Sequence, residues 1–140
     1  MIDYTIPKIS QVSFDDVLLQ PQFSEVVSRS DVDTSCVLRK VGTLEIPIIS
    51  APMDTVTENV MASEMARAGG IGIIHRYNSI VEQVEMLQNS SGCVGAAIGA
   101  TGDYVDRASA LIDVGAEVLC VDIAHGHHVL MRHALAVLRK

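Results

Sequence analysis

After Gly42 the chain settles into a rhythm in which short β-branched runs alternate with amphipathic stretches, each switch marked by a turn residue or a helix-start signal. Ile46–Ser50 predicts a first strand, whose isoleucines suit a parallel strand covered on both faces. Pro52 stops it, and Thr55 with Glu58 stands at the spacing of a capping box, predicting a helix over Val56–Ala68 with Met61, Met65 and Ala68 on its apolar face. Gly69-Gly70 ends that helix. The second unit has a strand at Ile71–His75, a capping box at Ser79 and Glu82, and a helix whose apolar face is Ile80, Val84 and Leu87. The third has a strand at Val94–Ile98, rich in small residues, and a helix over Asp103–Val114 with Val105, Ala108, Leu111 and Ile112 as its stripe. The fourth has a strand at Val118–Ala124, the run His125-Gly-His-His128, and a helix carrying Leu130, Ala134, Val137 and Leu138.

Residues 1–42 lack this rhythm and read as a lead-in. Phe14–Leu19 is a brief apolar run, Pro21 breaks it, and Ser24–Ser35 is polar. The four βα units over 43–140 require a parallel sheet with right-handed crossovers. A doubly wound sheet would be complete near this size, yet the glycines after the strands do not have GxGxxG spacing. A (βα)8 barrel needs about 250 residues, so four units would be half of one. The pattern leaves both architectures open.

Composition narrows the partners more than the fold. With 17 acidic and 10 basic residues among 140, the net charge is −7, and the acidic side chains are spread along the chain, which argues against nucleic acid. No basic segment followed by an apolar run opens the sequence, and no apolar stretch reaches the roughly 20 residues of a membrane span, so a cytoplasmic protein without a membrane partner is expected. Cys36, Cys93 and Cys120 lack CxxC spacing and are odd in number, as expected of reduced thiols.

In parallel units all four strand ends face one rim. There stand Met53 and Asp54, then His75 and Arg76, then Thr101 and Asp103, then Asp122 with His125, His127 and His128. Asp122 beside Ile123 and Ala124 can accept hydrogen bonds from sugar hydroxyls, and Arg76 can hold a phosphate or pair with a nucleotide. Plainer roles compete at each position. Asp54 could cap a helix, His75 could be a hydrogen-bonded structural histidine, the three later imidazoles could be solvated loop residues rather than metal ligands, and Arg29 could lie in a solvated loop. Met61 and Met65 read as core. Cys93 and Cys120 lie in apolar strands, where a thiol is usually inert. Residue by residue, the chain reads as a nucleotide or phosphate-ligand half-site without a nucleophile.

Six motifs, taken together and in order, resemble the IMP dehydrogenase / GMP reductase family: Phe14-Asp-Asp-Val-Leu-Leu19, Ser28-Arg-Ser-Asp-Val-Asp33, Ile49-Ser-Ala-Pro-Met-Asp-Thr-Val-Thr-Glu58, Gly70-Ile-Gly-Ile-Ile-His-Arg76, Val94-Gly-Ala-Ala-Ile-Gly99 and Val121-Asp-Ile-Ala-His-Gly-His127. The resemblance implies the (βα)8 barrel of TIM type, here its first four units, together with a purine nucleotide substrate (IMP, XMP or GMP) and a nicotinamide cofactor, NAD or NADP. It implies that Ala51 and Met53 lie against the nucleotide, that Asp122, Ile123, Ala124 and Arg76 contact the cofactor, and that Ser28 and Arg29 belong to a loop reaching a neighbouring subunit's cofactor. The family's attacking cysteine lies on a later loop, beyond Lys140, and none of the three cysteines here matches it. The regulatory pair of domains that interrupts many dehydrogenases after the second unit is missing, as in reductases and a minority of dehydrogenases, while the wording of the Ser50–Glu58 motif is nearer the dehydrogenases. The expectation is the N-terminal half of an oxidoreductase converting IMP to XMP, inactive alone and needing a complementary half or self-association; a GMP reductase and a non-catalytic nucleotide-binding half-barrel are the alternatives.

Overall fold

The computed structural model describes residues 12–139, which divide into two units between Asp33 and Thr34. The described part of the first holds two short 3-10 turns, Phe14–Asp16 and Arg29–Asp31. Each is opened by a serine whose backbone N–H donates to an aspartate three residues on, at 2.8 Å for Ser13 and Asp16 and 3.1 Å for Ser28 and Asp31. The brief apolar run is exposed at Phe14, Leu18 and Leu19.

The second unit contains an element the lead-in concealed, an antiparallel hairpin of β1 (Cys36–Leu38) and β2 (Gly42–Leu44). Lys40 turns it with a φ of 70°, a conformation uncommon outside glycine. Four parallel strands follow in the order β3 (Ile49–Ser50), β4 (Ile71–Ile74), β5 (Val94–Ile98) and β6 (Val118–Val121), each bonded to the next. Between and after them run α1 (Asn59–Arg67), α2 (Ile80–Gln88), α3 (Tyr104–Asp113) and α4 (Val129–Leu138).

The two faces of this sheet settle the architecture. Ile71, Ile73 and Ala97 point one way and collect Leu44 of the hairpin, with Cys36, Val41, Cys93, Val118 and Cys120 around them. Their neighbours along the strands point the other way: Ile74 and Val94 pack on Ala62 of α1, while Ala96 and Ile98 pack on Ala108 and Leu111 of α3, with Val84, Leu87 and Leu138 adding the flanks. Helices therefore cover one face only. A doubly wound sheet carries helices on both faces and reverses its strand order, whereas sequential strands with all helices outside are the pattern of a (βα)8 barrel, of which these are four units.

Several element bounds and faces differ from expectation for physical reasons. β3 is two residues long because Pro47 and Pro52 bracket it and remove backbone donors. It lies at the sheet edge, so Ile48 and Ile49 are half exposed rather than covered. β6 ends at Val121, leaving Asp122–Ala124 beyond the strand. The helix stripes are also turned. In α1 the buried residue is Ala62 and Met61 is exposed, because a Cβ on Gly72 would lie 2.5 Å from the Ala62 Cα and strand and helix meet through their smallest residues. In α3, Val105 and Ile112 face outward while Arg107 is buried; in α4, Ala134 is buried and Val137 exposed.

Candidate functional site

The loop from Ser50 to Glu58 is built around a buried hydroxyl. Thr57 is 0% exposed, and its Oγ1 lies 2.7 Å from the Ala51 carbonyl and 2.9 Å from Ser50 Oγ. A hydroxyl has one proton and a carbonyl only accepts, so Thr57 donates to Ala51 and receives from Ser50. The N–H groups of Val56 and Thr57 both donate to the Met53 carbonyl, closing a tight turn before the helix. The first helical bond is from Ala62 N–H to Glu58 carbonyl, so α1 starts at Asn59 with Glu58 at its N-cap. The expected capping box of Thr55 and Glu58 is thus absent, and Asp54 does not cap α1 either. The Glu58 carboxylate instead lies 3.5 Å from Nε2 of His75. Ala51 and Met53 stand exposed on this loop, 50% in the case of Met53.

His75 ties the loop to the end of β4. Its N–H donates to the Thr57 carbonyl at 3.2 Å. The ring is 3% exposed, and Nδ1 accepts the Tyr77 N–H at 3.1 Å, which leaves the proton on Nε2, aimed at Glu58. This is the structural histidine among the two roles considered.

Arg76, next along, crosses the rim. Its Nε donates to Oδ2 of Asp122 at 3.1 Å, linking the second residue after β4's end to the first after β6's. Between them lies Gly99, at the end of β5, where an added Cβ would sit 3.6 Å from an Arg76 guanidinium nitrogen and 3.3 Å from the Thr101 carbonyl. The guanidinium thus passes close over Gly99, and the tighter approach there is to the Thr101 carbonyl. Tyr77 lies beneath the charge, 5.4 Å from ring centre to the guanidinium carbon. Asp122 is held by its own N–H, which donates to the Ile98 carbonyl at 2.8 Å. Both side chains keep about a third of their surface in solvent, 33% for Arg76 and 28% for Asp122. Ile123 beside them is half-buried and Ala124 exposed.

The remaining candidates separate from this pair. His128 caps α4, its Nδ1 accepting the Leu130 N–H at 3.1 Å, while His125 and His127 are exposed and meet edge to face. Among the described residues no three His, Cys, Asp or Glu side chains are grouped to hold a metal. Burial pushes the Cys93 and Cys120 thiols up, with Glu117 and Asp122 respectively adding repulsion of the thiolate, so neither is an activated nucleophile. Asp54 lines a groove of about 490 Å³ with Thr55, Val56, Glu58, Val60, Met61 and Glu64. Its three carboxylates make it a poor place for a phosphate, and it does not include Ala51 or Met53. Ser28 and Arg29 flank the second turn of the other unit. Among the described residues no helix is long and apolar enough to cross a membrane.

Three contributors went unnoticed in the sequence: Thr57, Gln83 and Arg107. Gln83 is 0% and Arg107 5% exposed. Gln83 and Arg107 are polar residues inside helices, where polarity ordinarily signals a solvent face, and Thr57 lies in the loop before α1.

A parallel sheet clad by helices on one face, with an arginine–aspartate pair spanning three strand ends, defines part of a βα-barrel domain with a polar rim. Comparison with known proteins specifies it further. The family model for the IMP dehydrogenase / GMP reductase domain matches residues 11–140, and the chain belongs to that family. It is 58% identical over 76 residues to the inosine-5'-monophosphate dehydrogenase of Bacillus subtilis, covering 54% of this chain and 15% of that protein. To the Cryptosporidium parvum enzyme it is 35% identical over 162 residues, covering 83% and 40%. The crystal structure of the Legionella pneumophila inosine-5'-monophosphate dehydrogenase superposes with a TM-score of 0.83 at 41% identity, covering 91% of this chain and 40% of that one. The chain thus spans less than half the length of these relatives.

Proposed function

We propose that this chain supplies the N-terminal, ligand-facing half of an IMP dehydrogenase, oxidising IMP to XMP with NAD. The observation that carries the reading is the Arg76–Asp122 pair laid across Gly99 on the same rim as the Thr57-locked loop of Ala51 and Met53. Bound NAD supplies the hydride acceptor. Asp122 fits a ribose: Oδ2 accepts the hydrogen bond from Arg76 Nε–H and Oδ1 is left to accept one from a sugar hydroxyl. Arg76 neutralises that carboxylate and presents its remaining N–H groups to phosphate or base. Ile123 and Ala124 continue the cofactor wall, and Ala51 with Met53 lines the purine. Ser28 and Arg29 are assigned to the cofactor of a neighbouring subunit. The attacking thiolate is assigned to a residue outside these 140, in keeping with the raised pKa values of the Cys93 and Cys120 thiols. A complementary half or self-association covers the unpaired edges of β3 and β6.

Reduction of NAD with IMP is assayed on the purified chain alone and on the chain mixed with the C-terminal half of the Bacillus subtilis enzyme. Turnover is expected only in the mixture, and to fall at least about tenfold with Arg76→Ala. Robust turnover by the chain alone overturns the assignment as a half-enzyme. A GMP reductase is the second reading, favoured by the direct passage from α2 to β5 within five residues, Asn89–Cys93; oxidation of NADPH with GMP, and no reduction of NAD with IMP, would select it.

A further inference from the structure

Behind the rim lies a buried polar chain that the proposed chemistry does not use. The pairing of β4 with β5 ends at Ile74 opposite Ala96. One residue further on, the Gln83 amide takes over: Nε2 donates to the Ala97 carbonyl at 2.8 Å and the His75 carbonyl at 3.0 Å, with the Ile74 carbonyl at 3.4 Å. Its Oε1 accepts from Arg107 Nη1 at 2.8 Å. Arg107 thereby fixes which way the amide points, because a guanidinium only donates. The same guanidinium is pinned by Asp103 Oδ2 at 2.7 Å, the Asn78 carbonyl at 2.9 Å and Asn78 Oδ1 at 3.3 Å. A buried cation held this way contributes little net stability compared with an apolar side chain of equal volume. What it does supply is geometry. Both carbonyls grasped by Gln83 precede the rim residues, since His75 is followed by Arg76 and Ala97 lies two residues before Gly99.

We propose that Arg107 and Gln83 are positioning residues that fix the ends of β4 and β5, so that the Arg76 guanidinium passes over Gly99 onto Asp122. The inference rests on the proposed cofactor face for its functional meaning, but its test does not. The full chain, carrying isotope-labelled arginine and no ligand, is followed by NMR for solvent exchange of the Arg76 Nε–H proton. Gln83→Met and Arg107→Lys are expected to speed that exchange about tenfold. Val41→Ala, in the hairpin that packs on the other face of the sheet, lowers stability without touching the relay and leaves the exchange unchanged. Circular dichroism reports folding, and if Gln83→Met does not fold, Arg107→Lys decides, since it keeps the charge and loses only the forked contacts. Exchange within about twofold of the parent in the folded relay variants, or equal acceleration in Val41→Ala, overturns the proposal. Failure of the cofactor assignment would appear separately, as unaltered turnover in Arg76→Ala.

Discussion

Replacing Thr57 with valine tests how the loop that carries Ala51 and Met53 is held. The two side chains are nearly the same shape, and Thr57 is fully buried, so the change deletes a hydroxyl without opening a cavity. Two bonds are lost, at 2.7 Å to the Ala51 carbonyl and 2.9 Å to Ser50 Oγ. At about 1 kcal/mol each the loss would approach 2 kcal/mol. Ala51 is exposed and its carbonyl can turn to water, and the extra methyl is buried favourably, so the net expectation is about 1–1.5 kcal/mol. For a domain near this size that lowers Tm by about 5 °C. Thermal unfolding followed by circular dichroism gives the magnitude. Amide exchange at Val56 and Thr57, whose N–H groups hold the Met53 carbonyl, shows whether the loss is local. A variant as stable as the parent, with both amides equally protected, would refute the account of the loop.

Three further outcomes follow from the same contacts. Gly72→Ala drives a Cβ to within 2.5 Å of the Ala62 backbone, which cannot yield, and should cost about 3 kcal/mol in urea unfolding; a loss below about 1 kcal/mol would mean that α1 slides freely on β4. The Ser79 N–H and hydroxyl hold the Glu82 carboxyl below its usual range, so its contribution to α2 is complete above the unfolded pKa and disappears as pH falls through the lower folded one. Glu82→Gln should therefore flatten the acid limb of stability below about pH 4.5 while leaving the neutral region's slope unaltered. Burial raises the Cys93 and Cys120 thiols, so iodoacetamide at neutral pH should label them several-fold more slowly in the folded chain than in urea, and equal rates would contradict it.

The periodic part of the chain declared its own architecture. Strands β4 and β5 and the Ser79–Glu82 cap fall where the pattern of apolar residues and helix-start signals put them, because both depend on nearest neighbours. What the pattern could not reach was phase and depth. Gly72 lets α1 come close to β4, so that helix settled on Ala62 instead of the larger residues that periodicity nominated. The hairpin at Cys36–Leu44 escaped notice because its turn uses Lys40 at positive φ, not the usual glycine or asparagine pair. The rim candidates Arg76 and Asp122 were visible as charges at strand ends, but their contact spans 46 positions of sequence. Gln83 and Arg107 are least legible of all, since only tertiary contact distinguishes a polar residue that faces carbonyls from one that faces water.

Strand order bears on how the chain acquires its fold. Ile49 pairs with Ile71, Gly72 with Val94 and Gly95 with Val118, so each parallel ladder among the described residues closes over about 22 residues and none of them waits for a distant segment. Closure over so short a span has a small entropic cost, and each finished strand offers an open template to the next. During synthesis the hairpin and β3 emerge first, and the sheet can then extend one βα unit at a time behind the ribosome. Assembly by addition has a direction, and its growing end at any moment is an unsatisfied strand edge.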